Sequence, residues 1–263
     1  MNKLFKALLP PIFFNTPNQG IRFKVFTVQI IQQIIPPFLL DGVEFILLQL
    51  RERDQTSGQT QSIPDEQQLD VYWNPKMADA LESWGAGTTW SELEYLMINC
   101  SGKVLDIACG TGKTIEMISR YQNIHVYGCD ISDFLIQKAI DRGIDHSRLK
   151  VCDATQTDYE DDFFNYSYSI GSLEHFTEAG IQQFLEEAYR ITKYSSFHMI
   201  PISRFDINEG WIDKFQSYFN NSTDWWVKKF RASYDTVIVI DSSWQDRISV
   251  GKWFICIKNV NLK

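Results

Sequence analysis

With 263 residues, the chain has room for one sizeable α/β domain and an appendage, and a single catalytic-sized domain is the starting expectation. Lys and Arg number 25 against 33 Asp and Glu, a net charge of -8, and no window gathers basic residues into a stripe, so nucleic acid is not an expected partner. Five cysteines without CxxC spacing argue against a zinc cluster or a disulfide framework and fit a reducing cytosol, hence a cytoplasmic location.

Residues 1–51 are apolar but interrupted by Pro, Gln and Lys, so no uninterrupted run of about 18 apolar residues is available to cross a bilayer. Two similar pieces, ALLPPIFF and QIIPPFLL, set a Pro-Pro pair among bulky apolar residues, which ends or kinks a helix. Two readings of this extension stay open: an interfacial element that lies on a membrane or dimerises, and a flap packed on the domain. Residues 52–70 are polar apart from Ile63, Pro64 and Leu69 and lack apolar periodicity, as expected of a linker or long surface loop.

From Val71 onward, strand-like and helix-like segments alternate, the pattern of βαβ units and a parallel sheet. VLDI, HVYGC, LKVC, YSYSI and FHMIPI are of strand length, whereas GKTIEMISRY, FLIQKAIDRG and AGIQQFLEEAYRITK space their apolar residues at three and four. DTVIVID and GKWFICIK follow one another closely and predict an antiparallel hairpin at the sheet edge. The expected fold is α/β: a Rossmann-like, seven-stranded, mostly parallel sheet with an antiparallel edge hairpin on residues 71–263, plus the apolar N-terminal extension.

The stretch KVLDIACGTGKT contains a glycine loop with three conceivable ligands. A Walker loop needs a glycine where Ile107 stands, so GKT is a partial match and ATP is disfavoured. A dinucleotide fingerprint needs a third glycine where Ile115 stands, and fails as well. What remains is an acid at the end of a strand, Asp106, followed by the small residues Ala108, Gly110 and Gly112 around Cys109. Small residues let a ligand lie against backbone at the start of a helix, which suits a carboxylate better than a chain of phosphates. The next strand ends in Asp130, where a carboxylate would accept hydrogen bonds from two ribose hydroxyls, and a third ends in Asp153. Each acid alone could equally be a helix N-cap or a solvated loop carboxylate; together they point to one crevice at the carboxyl ends of parallel strands.

With VLDIACGTG, Asp130 and Asp153 in sequence, residues 71–258 resemble the class I S-adenosylmethionine-dependent methyltransferases, Ala108 standing where their first motif more often has glycine. The resemblance implies S-adenosyl-L-methionine as cofactor. Asp106 and the loop Ala108, Cys109, Gly110 and Gly112 would hold its methionine part, Asp130 the ribose and Ile131 one face of the adenine. Asp153 and the Ala154 backbone would read the adenine edge, and Ile170 and Gly171, at the end of the fourth strand, would close the site.

SIGSLEHF puts Glu174 and His175 just past that strand, where an acceptor hydroxyl would need a base. LEHF is similar to the Leu-Glu-His-Val of quinone O-methyltransferases, but the acid that some of these add for a divalent ion is Gly171 here, so no metal is expected. His175 could instead cap the next helix or pack beneath the loop, and His198, in an apolar strand, reads as a core histidine. An insertion at about 207–230 carries Trp211, Trp225 and Trp226, expected either to lid the acceptor or to be core. The expected activity is methyl transfer to a small polar acceptor, O-methylation of a sugar or polysaccharide precursor being favoured; N- or C-methylation of another metabolite and a non-catalytic S-adenosylmethionine-binding partner or sensor are the alternatives.

Overall fold

The computed structural model describes residues 66–213 and 216–258, within a compact unit that runs from Ile63 to Lys263. The apolar extension, 1–51, lies outside the described residues, as does most of the polar stretch that follows it. After a 3-10 turn, Asp70–Trp73, the elements are α1 (Pro75–Leu81), α2 (Thr89–Met97), β1 (Gly102–Ile107), α3 (Lys113–Ile118), β2 (Ile124–Asp130), α4 (Asp133–Asp141), β3 (Leu149–Val151) and β4 (Phe164–Ile170). There follow α5 (Glu178–Ile191), β5 (Thr192–Ser203), β6 (Trp211–Ile212), β7 (Tyr218–Phe219), α6 (Thr223–Arg231), β8 (Thr236–Gln245) and β9 (Ser249–Ile257).

Seven strands form one sheet in the order β3-β2-β1-β4-β5-β9-β8. β1 to β5 run parallel, and β9 is antiparallel to both β5 and β8. The hairpin foreseen at the sheet edge is thus present, with its second strand inserted between β5 and the edge strand β8. The chain builds outward from β1 to β3 and then crosses back to place β4 on the other side of β1. This reversal opens a crevice beyond the carboxyl ends of β1 and β4, where open α/β sheets bind ligands.

Strand alternation divides the core into two layers. Val104 and Val126 face Leu93 and Met97 of α2, Ile115 and Ile118 of α3 and Ile136 of α4. Leu105 and Ile107 face the other way, toward Ile181, Phe184, Leu185, Ala188 and Ile191 of α5. Those five α5 positions recur at three and four, the stripe that buries one side of a helix. Helix starts follow ordinary capping chemistry: the Thr177 hydroxyl accepts from Gly180 N at 3.1 Å and the Ser132 hydroxyl from Leu135 N at 3.2 Å.

The segment expected as a lid, 207–230, is largely framework. Its described parts form the two-stranded ribbon β6-β7 and then α6, whose Trp226 and Phe230 are fully buried in the same core layer as α5. Trp211 is buried in that layer and Trp225 packs against it, so the helical spacing of these rings reflects core packing and not an acceptor wall. Trp226 Nε1 has no hydrogen-bond partner, so the residue contributes by volume alone. Trp226→Ala is expected to lower the unfolding free energy by about 3–5 kcal/mol, read from the midpoint of a urea transition at unchanged slope. A loss below about 1 kcal/mol would show that the layer closes over the gap.

Candidate functional site

A cleft of about 940 Å³, mouth included, opens at the crevice. Every cofactor residue named from the sequence except Gly112 lines it: Asp106, Ala108, Cys109, Gly110, Asp130, Ile131, Asp153, Ala154, Ile170 and Gly171. Gly112 serves packing instead. It caps α3 at φ +73°, and a Cβ there would come within 2.5 Å of Ile144 Cδ1 and 2.9 Å of Ala139 Cβ.

Ala108 sits at φ 59°, the left-handed region that a residue with a Cβ seldom adopts. The distortion is held in place at the point where the chain turns from β1 into the loop, as is common at ligand sites. Gly110, at φ 53°, leaves its N–H free to donate to Asp130 Oδ2 at 2.9 Å, and Ser132 N donates to Asp130 Oδ1 at 3.0 Å. With Ile131 N–H as a further backbone donor, Asp130 is held in orientation at the end of β2, where a carboxylate can accept from the hydroxyls of a ribose. That geometry fits an adenosyl group.

Burial pushes the Asp130 carboxyl up to about 6, the backbone bonds from Ser132 and Gly110 only partly opposing it. Asp106, which accepts from the Thr114 hydroxyl, is pushed up by burial to about 7. Asp153 differs: it is exposed, and its Oδ1 accepts from Thr155 N at 2.8 Å and Thr155 Oγ1 at 2.7 Å. The local loop bond expected of a lone aspartate is present, yet the residue also lines the cleft.

Glu174 and His175 occupy a 3-10 turn, Leu173–His175, directly after β4. Neither lines the cleft; Ser172 and Phe176, on either side of them, do. His175 Nδ1 lies 2.8 Å from the Ser217 carbonyl, so Nδ1 carries the proton and Nε2 is left as an acceptor, 3.6 Å from Glu174 Oε1. Burial lowers the imidazole to about 4 and raises the Glu174 carboxyl to about 8, so at neutral pH the two are uncharged neighbours and not an ion pair. Glu174 Oε2 is buried without a partner. His198 is a core histidine: fully buried, its Nδ1 2.8 Å from Ser169 Oγ, with Phe184 and Phe230 beside the ring.

The rest of the cleft wall escaped the sequence reading. Apart from Thr111, Lys113, Thr114 and Leu135 near the glycine loop and Ser172 and Phe176 after β4, it comes from the segment before β1, Gln67, Tyr72, Met77, Leu81, Trp84 and Trp90, joined by Gln216 between β6 and β7. Gln67 belongs to the polar stretch read as a linker. Ser132 Oγ donates to the Tyr72 carbonyl at 2.8 Å and Trp73 Nε1 to Asp133 Oδ1 at 2.8 Å, which docks the segment beside Asp130. The one signal available was the density of aromatic residues in VYWNPKMADALESWGAGTTW.

Residues 104–195 match the methyltransferase domain family. The sequence is 30% identical over 128 residues to the methyltransferase GfsG of Streptomyces halstedii, covering 46% of this chain and 45% of that one. It is also 30% identical over 97 residues to phosphoethanolamine N-methyltransferase 1 of Triticum aestivum, and 36% identical over 74 residues to the probable tRNA methyltransferase 9B of Mus musculus. These last two stretches cover 36% and 28% of this chain but only 20% and 15% of the relatives, so the chain spans less than half the length of each relative it matches. Among solved structures, a methyltransferase of Thermotoga maritima superposes with a TM-score of 0.55 at 16% identity, over 72% of this chain and 99% of the other. Residues 104–195 thus carry a methyltransferase domain, set in a fold shared with S-adenosylmethionine-dependent methyltransferases, and the cofactor is S-adenosylmethionine.

Proposed function

We propose that this chain is an active methyltransferase that moves the S-adenosylmethionine methyl group to the hydroxyl of a small polar acceptor, a sugar or polysaccharide precursor being the favoured class. The observation that carries the reading is Asp130, buried at the end of β2, oriented by backbone donors and lining the cleft. Asp106, the loop Ala108–Gly110, Ile131, Asp153 and Ala154 would complete the cofactor's seat. When bound, the cofactor supplies an activated methyl group, so the chain's own task is to align the acceptor, worth roughly 7–11 kcal/mol, and to take up its proton. Glu174, a buried carboxyl with an unpartnered oxygen behind the wall formed by Ser172 and Phe176, is our candidate for the proton, with His175 Nε2 beside it.

The phosphoethanolamine relatives favour a second reading, in which the accepting atom is an amine nitrogen. Thermal melts separate methyltransferase from nucleotide hydrolase: S-adenosylhomocysteine at about 100-fold its Kd should stabilise the fold by about 2.7 kcal/mol, and ATP should leave it unchanged. Slow release of S-adenosylhomocysteine in the presence of a pool of glycosides and amines distinguishes an enzyme from a mere binder. Stabilisation by ATP alone would overturn the proposal.

A further inference from the structure

The cleft has an acidic cofactor side and an aromatic far side. On the cofactor side, Asp106, Asp130 and Asp153 line the wall. The far side is reached past Gly171, whose φ of +63° and missing Cβ allow the Trp84 indole to lie over the end of β4; a Cβ there would be 2.7 Å from Trp84 Cη2. Trp84 is backed by Trp244 with ring centroids 5.2 Å apart, which holds the indole in position. Trp90 lies next along the same wall, and Tyr72, Gln67 and Gln216 supply its hydrogen-bonding groups.

Among the described residues, the cation that lines the cleft, Lys113, follows the glycine loop on the cofactor side and is not part of the far wall. Lys113, which lines the cleft, bonds Glu116 at 3.0 Å, and Arg142 bonds both Glu82 and Glu116 while donating to the Thr111 carbonyl at 3.1 Å. The described residues of the far wall carry no cation, so a phosphate docking there would lose water with neither an Arg fork nor a Lys among them to receive it. An uncharged ring would carry no ionic desolvation cost and could pack against the indoles of Trp84 and Trp90.

We propose that the part of the acceptor that enters the cleft is an uncharged ring, a glycosyl or aryl ring packed on Trp84 and Trp90, and that phosphorylated acceptors are excluded. This rests on the methyltransferase reading and narrows its substrate class: a nucleotide-linked or phosphorylated sugar would be refused, an unphosphorylated glycoside accepted. Trp84 is then a specificity-determining residue, unable to be replaced by an aliphatic side chain of similar bulk.

The test uses the full chain loaded with S-adenosylhomocysteine, whose own Kd is measured first by calorimetry. Two matched pairs then serve as probes, phenyl β-D-glucoside with its 6-phosphate and catechol with its monophosphate, followed by saturation-transfer NMR. The neutral member of at least one pair should bind about ten-fold or more tightly than its phosphate, and Trp84→Leu should weaken it about ten-fold with the S-adenosylhomocysteine Kd changed by less than about two-fold. A Gln67→Lys/Gln216→Lys double variant, which places two cations on the wall, should bring the phosphorylated member to parity or better. Equal or tighter binding of the phosphates to the unaltered chain, or no binding by any of the four probes, overturns this proposal while leaving the methyltransferase reading intact. Failure to bind S-adenosylhomocysteine at the outset would instead overturn that reading.

Discussion

Asp130→Ala is expected to raise the Kd for S-adenosylhomocysteine by about 10²- to 10⁴-fold. Two hydroxyl donors to an ionised acceptor contribute roughly 1.5–3 kcal/mol each, and nothing else at the end of β2 can replace that acceptor. The variant also leaves Gly110 N and Ser132 N without their partner, so its melting temperature should fall modestly. Asp130→Asn separates the two effects, since one oxygen remains to accept while the charge is gone. Unchanged affinity in Asp130→Ala would remove the basis for the adenosyl assignment.

The same residue gives a pH signature. Its folded pKa, about 6, lies above the value of 3.8 for a free aspartate, and Asp106, at about 7, behaves alike. Between about pH 4 and 7 the ligand-free fold therefore keeps protons that the unfolded chain has released. Stability without ligand should fall as pH rises through this window, because the unfolded state binds fewer protons there. Cofactor affinity should run the opposite way, since ribose hydroxyls are bound by the carboxylate and not by the acid. Calorimetry from pH 5 to 8 should show S-adenosylhomocysteine binding tightening through about pH 6 with release of a proton, a dependence that Asp130→Ala flattens. Affinity constant over that range would contradict it.

Glu174→Gln is expected to lower kcat by about 10²- to 10⁴-fold, with cofactor affinity unchanged, and to make the protein more stable. A buried carboxyl with one oxygen unpartnered is costly, and its shift from an ordinary 4.5 to about 8 measures how strongly the fold resists its ionisation. As pH rises from about 4.5 to 8 the unfolded glutamate ionises first, so this residue destabilises the native state progressively across that window and in full above it. Glutamine removes the cost without altering the shape. The gain in melting temperature should therefore be small at pH 5 and largest at pH 9. In the unaltered enzyme, kcat should climb with pH toward a plateau above about 8, where Glu174 is a carboxylate able to take a proton. A gain in stability with kcat unaffected would mark Glu174 as a framework residue and leave alignment as the main source of rate.

The succession of strands and helices along the chain and the acids on the cofactor side of the cleft were legible in the primary structure because both depend on local rules. Short β-branched runs between helical periods specify βαβ units, and an acid at the end of each of three such runs must arrive at one rim. Ala108, Asp130 and Asp153 needed no knowledge of distant contacts. The aromatic residues of 211–226 show where that reasoning stops: the spacing of Trp225, Trp226 and Phe230 suits a lid and a core helix equally, and only the packing of α6 against the sheet places Trp226 in the interior. Gly112 was read with the ligand loop for the same reason, since nothing near it in sequence reveals that Ile144 and Ala139 occupy the space of its missing Cβ.

Sequence alone therefore determined the strands of the sheet and the acids at its rim, since backbone conformation and strand periodicity are set by neighbours along the chain, while the cofactor was implied by the family resemblance of VLDIACGTG. Tertiary structure decided the far wall of the cleft, drawn from Tyr72, Trp84, Trp90 and Gln216, and it left Glu174 and His175 off the cleft surface, in the turn between Ser172 and Phe176, which line it. Those placements depend on which side chains exclude water from one another across long separations, and on the burial that leaves a glutamate protonated beside a neutral histidine.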